Sequence, residues 1–554
     1  MRPAVALLAA CLVSPPSAAA VEARGRGAPD VGVASSLDKL RPTSAVPRAR
    51  TIDLVAARGE CEAAQIAVRA PGGLAALSAD ATPLRRGRGA TVPLALYRVA
   101  TLALTRPSGP DGEPGEWPDP LIPARDAYAG EARRAFPVAV APGRLQAIWV
   151  EACVPEDASA GEHAGVVRLS DAGRRIAEVR VRLRVWPFAL PRTGSFTAAF
   201  GLPTRVGTRA LGHPDDPAVA RDLAAAALRH RVTPYVLSAD PPDGACTARR
   251  CALDWTRYDA EVGPVLDGTL VPGVRGAFAE VRIAGRVWDG PEEDLLGTLR
   301  AWRRHFDERG WADRLRLYTL DEAGPAQLPE LRRRARLARA AGVRVFATVV
   351  PLAALAGAVD EFAPNLALVG DGGGRPERVT WSYASCLSHG CDELPADGPA
   401  RRAMAREFAG WPGYEIDRPG TAARAVPLLG LRRGLKGELY YDMLQAWTGD
   451  PWTEVRAFAG NGDGTLLYPG RPEALGGTRP FPVESIRLKI VRDALEDAEL
   501  VALARAAGEG PLADRLLARL VPSARGWERR PEPWLRARRE LGDALARCAP
   551  RAAR

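Results

Sequence analysis

Alternation of apolar and polar positions marks strands at both ends of this chain's first third. In 176–186, valines and a leucine face one way and arginines the other, the period-2 pattern of a half-buried strand. Segments 64–68, 148–153 and 165–169 read similarly, separated by Gly, Pro and Asp turns, whereas the Pro- and Gly-rich stretch 107–123 reads as a long loop. Residues 31–190 therefore predict an all-β unit, most naturally a β-sandwich. After a Pro-punctuated linker at 187–194 the pattern changes. Candidate strands at 196–200, 233–237, 315–320, 343–350, 366–369, 379–383 and 438–443 alternate with helical periodicity, clearest at 292–308 and 328–341. That alternation predicts a (β/α)8 barrel over 195–450. Residues 451–554 add Pro/Gly turns, one strand at 465–468 and a helical tail, read as a small C-terminal β/helical extension. No internal repeat or low-complexity tract is evident.

A chain of 554 residues with 47% apolar and 26% charged residues is globular and long enough for two or three cores. Its formal charge of +10 does not imply nucleic acid. Lysine occurs only at 39, 436 and 489, and the arginines alternate with apolar residues or dot helix faces instead of forming a dense basic block. Met1-Arg2, an apolar run to Val13 and the small residues at 17–20 read as an export signal over 1–20. Leu8-Ala9-Ala10-Cys11 also resembles a lipobox, so lipid anchoring through Cys11 is the rival reading. No later segment has the apolar length of a transmembrane span. Cys246 and Cys251, and Cys386 and Cys391, are spaced to clamp single loops, and local disulfides fit an oxidising destination better than zinc sites. Cys61 and Cys153 lie in predicted strands of one unit and are a third candidate pair. Cys548 has no evident partner.

Candidate chemistry concentrates at one strand end. Asp-Glu occurs at 307–308, 321–322, 360–361 and 392–393. The first and third pairs sit in helical stretches and the last in a cysteine-flanked loop, where acids are ordinarily solvated. Asp321-Glu322 instead follows the strand that begins at Leu315, and barrels collect their chemistry at the carboxyl ends of strands. The histidines (163, 213, 230, 305, 389) form no metal-binding spacing, and neither a phosphate loop nor a GxSxG elbow is present. The glycine run at 370–374 reads as a turn. Neighbouring carboxylates suit glycoside hydrolysis in which the substrate's acetamido oxygen is the nucleophile. One acid protonates the glycosidic oxygen while the other orients the acetamido N–H, and repulsion between them raises one pKa. Trp381, Tyr383, Tyr441 and Trp447, at other strand ends, are candidate sugar-contacting residues. Such a reaction needs no metal or cofactor.

Several motifs resemble glycoside hydrolase family 123 and its broader relatives carrying domain-of-unknown-function 4091. They include Trp117-Pro118-Asp119-Pro120-Leu121-Ile122-Pro123, Leu317-Tyr318-Thr319-Leu320-Asp321-Glu322 and Ile416-Asp417-Arg418-Pro419-Gly420 with Arg424. Further matches are Gly437-Glu438-Leu439-Tyr440-Tyr441 to Trp447, Asp450-Pro451-Trp452, Gly462-Asp463-Gly464 and Tyr468-Pro469-Gly470. The most specific run is Glu484-Ser485-Ile486-Arg487-Leu488-Lys489 with Arg492-Asp493 and Glu496-Asp497. The resemblance implies the architecture above and retaining hydrolysis of β-linked N-acetylgalactosaminides by the acetamido-assisted route; together with the export signal, the expectation is an exported hydrolase removing β-linked N-acetylhexosamine, chiefly N-acetylgalactosamine, from a glycan or glycoconjugate. It also implies Glu322 as general acid/base, Asp321 as the acetamido-orienting residue, and Trp381 and Tyr383 as pocket residues. Ala323 stands where the family usually has Pro, and Tyr441 where Trp is common. Those departures motivate the alternative, a non-catalytic carbohydrate-binding or cell-surface protein on the same fold.

Overall fold

A computed structural model describes residues 27–548 except 238–239, 248–249, 284, 371–378 and 396. The candidate signal at 1–20, Cys11 and most of the 370–374 glycine run lie outside the described residues. The first unit is built on two sheets. One contains, in order, Asp30–Ser35, Cys61–Arg69, Leu145–Cys153, Leu94–Leu104 and Gly115–Pro123, then Phe481–Ser485 and Leu467–Gly470. The other orders Thr51–Arg58, Arg174–Ala189, Gly161–Asp171, Leu74–Ala81 and Val138–Val140. Val181 and Leu183 from the second share one apolar cluster with Ile66, Ile148 and Val150 from the first. The alternation read from 176–186 is thus the inward and outward registration of a strand over that core.

Two sequence expectations fail here for identifiable reasons. The stretch 107–123 is not loop throughout, because Gly115–Pro123 forms a strand beside Leu94–Leu104. Its prolines are accommodated by a register shift in that ladder and a short pairing to Phe481–Ser485. The C-terminal segment is not a separate appendage either. Its strands extend the N-terminal sheet through Glu484 opposite Leu121. Its last helix, Pro531–Cys548, lies on Arg174–Ala189, where Trp186 Nε1 donates to Asp543 at 2.8 Å.

The middle of the chain forms two four-stranded, wholly parallel sheets. The first orders Val232–Tyr235, Thr197–Gly201, Gly437–Tyr440 and Trp381–Tyr383. The second orders Ala279–Glu280, Leu315–Tyr318, Arg344–Ala347 and Glu361–Phe362, each in sequence order, giving a half-barrel sheet. Parallel bridges from Phe362 to Val379 and from Asn365 to Tyr383 join the two along one side. On the other side the Ala277 amide donates to Thr233 Oγ1 at 3.1 Å. Between the sheets lies an apolar cluster including Tyr235, Phe278, Phe346, Trp381 and Leu439.

Helices Glu292–Glu308 and Leu328–Ala340 form where periodicity placed them. The expected strand at 366–369 is instead a 3₁₀ turn, Leu366–Leu368, because Asn365 caps it by accepting from the Ala367 amide at 3.0 Å. The strand there is Glu361–Phe362, so Glu361 opens a strand with Asp360 just before it, and the pair is not in a helix. Glu361 accepts from buried Arg316 at 2.7 Å. Among the described residues, no helix is long and apolar enough to cross a membrane. Disulfides join Cys61 to Cys153, Cys246 to Cys251 and Cys386 to Cys391, while Cys548 is free and exposed. These bonds suit an oxidising, extracellular or periplasmic setting.

Candidate active site

Asp321 and Glu322 follow the carboxyl end of Leu315–Tyr318, and both are exposed. That strand is buried on both faces, as parallel strands are, so the chain emerges from it in a fixed direction. The loop after it is stapled from below. Arg334 Nη1 donates to Thr319 Oγ1 at 2.6 Å, and the Gly324 amide donates to Gln327 Oε1 at 3.0 Å, opening the helical run that continues in Leu328–Ala340. Ala323, the position where proline was expected by resemblance, is buried beneath the pair.

Two hydroxyls converge on Asp321 Oδ1: Tyr318 donates at 2.5 Å and Thr348 at 2.8 Å. Thr348 Oγ1 also accepts from the Glu322 amide at 2.9 Å, so one side chain just past the neighbouring strand Arg344–Ala347 fixes both acids. Glu322 itself has φ +45°, a left-handed conformation uncommon for a residue with a side chain. Its Oε1 accepts from the Tyr383 hydroxyl. Burial, then the bond to Glu322 and the neighbouring acids, push the Tyr383 phenol well above its usual range, so it remains a donor. Among the described residues neither Asp321 nor Glu322 has an ion-pair partner. The acids are oriented by neutral hydroxyls and left open to solvent.

The four sequence-nominated aromatics separate. Tyr383 reaches Glu322. Tyr441 is half-buried one residue beyond Gly437–Tyr440, with its ring edge-on to Phe458 at 5.6 Å. Trp381 is buried among Phe278 and Phe346, in the layer beneath the acids. Trp447 is buried as well, its Nε1 donating to Leu467 O at 2.8 Å. The structure brings Tyr383 to the acid pair, leaves Tyr441 half-buried against Phe458 with its hydroxyl turned inward, and turns neither indole ring to an open face.

Sequence reading missed two further acids. Asp442, half-buried just past Gly437–Tyr440, has Oδ1 tied to the Leu444 amide at 2.7 Å. Burial pushes its carboxyl up to about 7. Glu280 ends Ala279–Glu280, where burial raises its pKa against the Arg282 guanidinium 2.6 Å away. Tyr235 is placed among these groups: burial, then the charges of Glu280, Asp321 and Asp442, hold its phenol protonated. The small pocket beside Tyr235, Glu280 and Arg282 is walled by Tyr258, Val262, Val265 and Leu266 of Thr256–Asp267, and neither Asp321, Glu322 nor Asp442 lines it. The signal for Asp442 was available, since it follows a strand end as Asp321 does. Glu280 was hidden because its strand has two residues.

No protein-family model and no curated protein matches the chain. Solved structures do. A family 123 glycoside hydrolase from Clostridium perfringens, described for glycolipid glycan hydrolysis, aligns over 94% of this chain and 97% of its own. The TM-score is 0.63 at 10% identity. This chain has that protein's fold. A family 39 glycoside hydrolase from Bacteroides cellulosilyticus aligns over 80% of this chain and 81% of its own at 12% identity, with a TM-score of 0.32. A Bacteroides ovatus GH5 xyloglucanase aligns over 84% of this chain and all of its own at 12% identity, with a TM-score of 0.25. Scores that low support no inference about this chain. The family 123 likeness therefore rests on overall fold, and the domain-of-unknown-function resemblance has no matching family model behind it.

Proposed function

We propose that this protein is an exported glycoside hydrolase that removes a terminal β-linked N-acetylhexosamine, chiefly N-acetylgalactosamine, from a glycan or glycoconjugate. On this reading residues 31–190 are a β-sandwich and 195–450 a (β/α)8 barrel whose eight strands follow in order around one aromatic interior. Residues 451–554 brace the two. The observation that carries the reading is the exposed Asp321–Glu322 pair, held at a strand end by Tyr318, Thr348 and Tyr383 with no cation paired to it among the described residues.

The chemistry follows from the two environments. Asp321 spends Oδ1 on two hydroxyl donors, which leaves Oδ2 to accept the substrate's acetamido N–H. So oriented, the acetamido oxygen attacks the anomeric carbon from the face opposite the leaving group. Glu322, steadied through Oε1, presents Oε2 to protonate the departing glycosidic oxygen. The same carboxylate then takes a proton from the water that opens the cyclic intermediate, so the product retains the β configuration. Asp442 and Glu280 supply acceptors for sugar hydroxyls. The steps use only the substrate's own groups, protein side chains and one water.

Hydrolysis by the purified mature protein, measured on aryl β-N-acetylgalactosaminide, β-N-acetylglucosaminide, β-galactoside and β-glucoside, tests the reading. Turnover confined to the acetamido sugars supports it. Efficient cleavage of the plain galactoside would contradict the acetamido route, and glycan binding with no product from any substrate would favour the non-catalytic alternative.

A further inference from the structure

The strands Leu94–Leu104 and Leu145–Cys153 pair over only part of their length. Their antiparallel register runs from Leu94 opposite Ala152 to Arg98 opposite Ile148 and stops there. Beyond that point the first strand continues to Leu104 beside Gly115–Pro123, while the second continues to Leu145 beside Cys61–Arg69. The sheet therefore forks. Gln146 props the fork, its Nε2 donating across the gap to Val99 O and to Ala147 O, both at 2.8 Å.

A cavity of about 330 Å³ occupies the opening. Leu40, Pro42, Val140 and Leu145 supply apolar wall, and the exposed Thr101 and Ala141 place its mouth at the surface. The charged groups lining it are Arg98 and Arg144, with no carboxylate among the described residues around it. Arg144 is neutralised from outside the cavity, donating from Nη2 to both oxygens of Glu116 at 2.6 and 2.7 Å.

Arg98 is different. Side chains alternate between the faces of a strand, and Leu96, two positions earlier, belongs to the apolar cluster between the two sheets of the first unit. Val140 of the second sheet joins that cluster and also lines the cavity. Arg98 thus puts a cation where the pattern calls for an apolar side chain. It is half-buried, and its enclosed Nε finds no acceptor among the described residues. Burial, with no acid to offset it, draws its pKa down. Elsewhere the chain matches its buried cations, Arg487 with Asp119 and Arg492 with Glu151 for example. An unmatched guanidinium lining a cavity with a surface mouth is left to take its counter-ion from solution.

We propose that this fork is a binding site for a carboxylate or sulfate group carried on a compact body of about one sugar unit, with Arg98 gripping the anion. The planar guanidinium presents paired donors that match either group, and the apolar walls accommodate the rest of the ligand. The site belongs to the N-terminal strands and stands independently of the hydrolase reading.

Calorimetry on the full mature protein, at fixed ionic strength, compares sodium glucuronate, sodium sulfate and neutral glucose. Glucuronate should bind one-to-one, and sulfate and glucose each about 10-fold or more weaker, because one lacks the body and the other the charge. Arg98→Leu should weaken glucuronate by about 10-fold or more, with Arg98→Lys falling between it and wild type. Without ligand, Arg98→Leu should melt no lower than wild type, since it removes an uncompensated charge. Glucuronate binding that is absent from wild type, or unchanged in Arg98→Leu, overturns the site. Sulfate binding as tight as glucuronate overturns the carried group and leaves a pocket for the bare anion. A lower melting temperature for ligand-free Arg98→Leu also overturns the site, because the arginine would then be holding the fold.

Discussion

Tyr383 and Asp442 set the electrostatics of the site one side chain at a time. Tyr383 is a neutral donor locked onto Glu322, so Tyr383→Phe leaves the ring in place and removes the bond that orients the acid, along with the hydroxyl's contact with Asn365. The expected result is a fall in kcat of about 10- to 100-fold with a small change in KM, because the bond acts on the reacting group and not on the sugar. Steady-state kinetics on the aryl acetamido sugar measure the split, and a loss confined to KM would instead assign Tyr383 to ground-state binding. Asp442 makes a prediction in pH. Burial moves its carboxyl from an ordinary 3.8 to about 7, so between those values the folded protein holds a proton that the unfolded chain has released. Asp442 therefore weakens the fold progressively as pH rises from about 4 to 7, and no further above. Urea midpoints of wild type and Asp442→Asn should then coincide best near pH 4, with the variant gaining relative stability by pH 7.5. A difference that does not change with pH would show that Asp442 is solvated.

Elements explain why the acid pair was legible and its supports were not. A period-2 run that stops on two carboxylates marks a strand end, and Leu315–Tyr318 delivers them as expected. Glu292–Glu308 was equally plain, because a continuous amphipathic stripe needs no tertiary information. Thr348 was invisible, since its role depends on Arg344–Ala347 lying parallel beside Leu315–Tyr318, a pairing that no local pattern states. For the same reason Gly115–Pro123 looked like loop: its prolines break the local signal, while two neighbouring strands supply the order. Trp381 and Trp447 misled in the other direction, because period alone cannot tell a rim aromatic from one a layer deeper. Thr348 also yields a prediction for the strand pair. Thr348→Val removes both of its bonds to the acids at nearly constant volume and should cost about 1–3 kcal/mol in urea unfolding. Activity should fall at least 10-fold, and Thr348→Ser should restore most of both. Unchanged kinetics in Thr348→Val would mean that the loop orders itself without the neighbouring strand.

At the scale of the whole molecule, the C-terminal segment is what joins sheet to parallel strands, and it does so with buried charge. The run from Glu484 to Asp497, the most specific part of the family resemblance, is a network and not a site. Lys489 pairs with Glu151 and Glu484 at 2.8 and 2.7 Å, Arg492 with Glu151 at 2.7 Å, and Asp497 with Arg424 and Arg538 at 2.8 and 3.0 Å. Arg487 grips Asp119 of the Pro-Asp-Pro-Leu motif through both oxygens, at 2.9 and 2.8 Å, with both residues essentially unexposed. These residues were readable as a signature, but Asp119 and Glu151 lie more than three hundred positions before their partners, so an extension was expected where a brace exists. Arg487→Leu leaves the buried Asp119 carboxylate with only the Tyr468 hydroxyl at 2.5 Å and Lys39 at 3.7 Å, and should cost about 3–5 kcal/mol, read from urea denaturation followed by circular dichroism. A loss below about 1 kcal/mol would mean that the N-terminal sheet and the parallel strands hold together without this ion pair. Those interactions keep the acid pair in place, but the functional claim is decided at Glu322. The most direct measurement is the rate at which Glu322→Gln hydrolyses an aryl β-N-acetylgalactosaminide, alongside a melting curve matching wild type. A fall of about 10²- to 10⁴-fold with the fold intact is the predicted outcome. A rate within a few-fold of wild type would contradict the assignment of Glu322 as the acid that releases the leaving group.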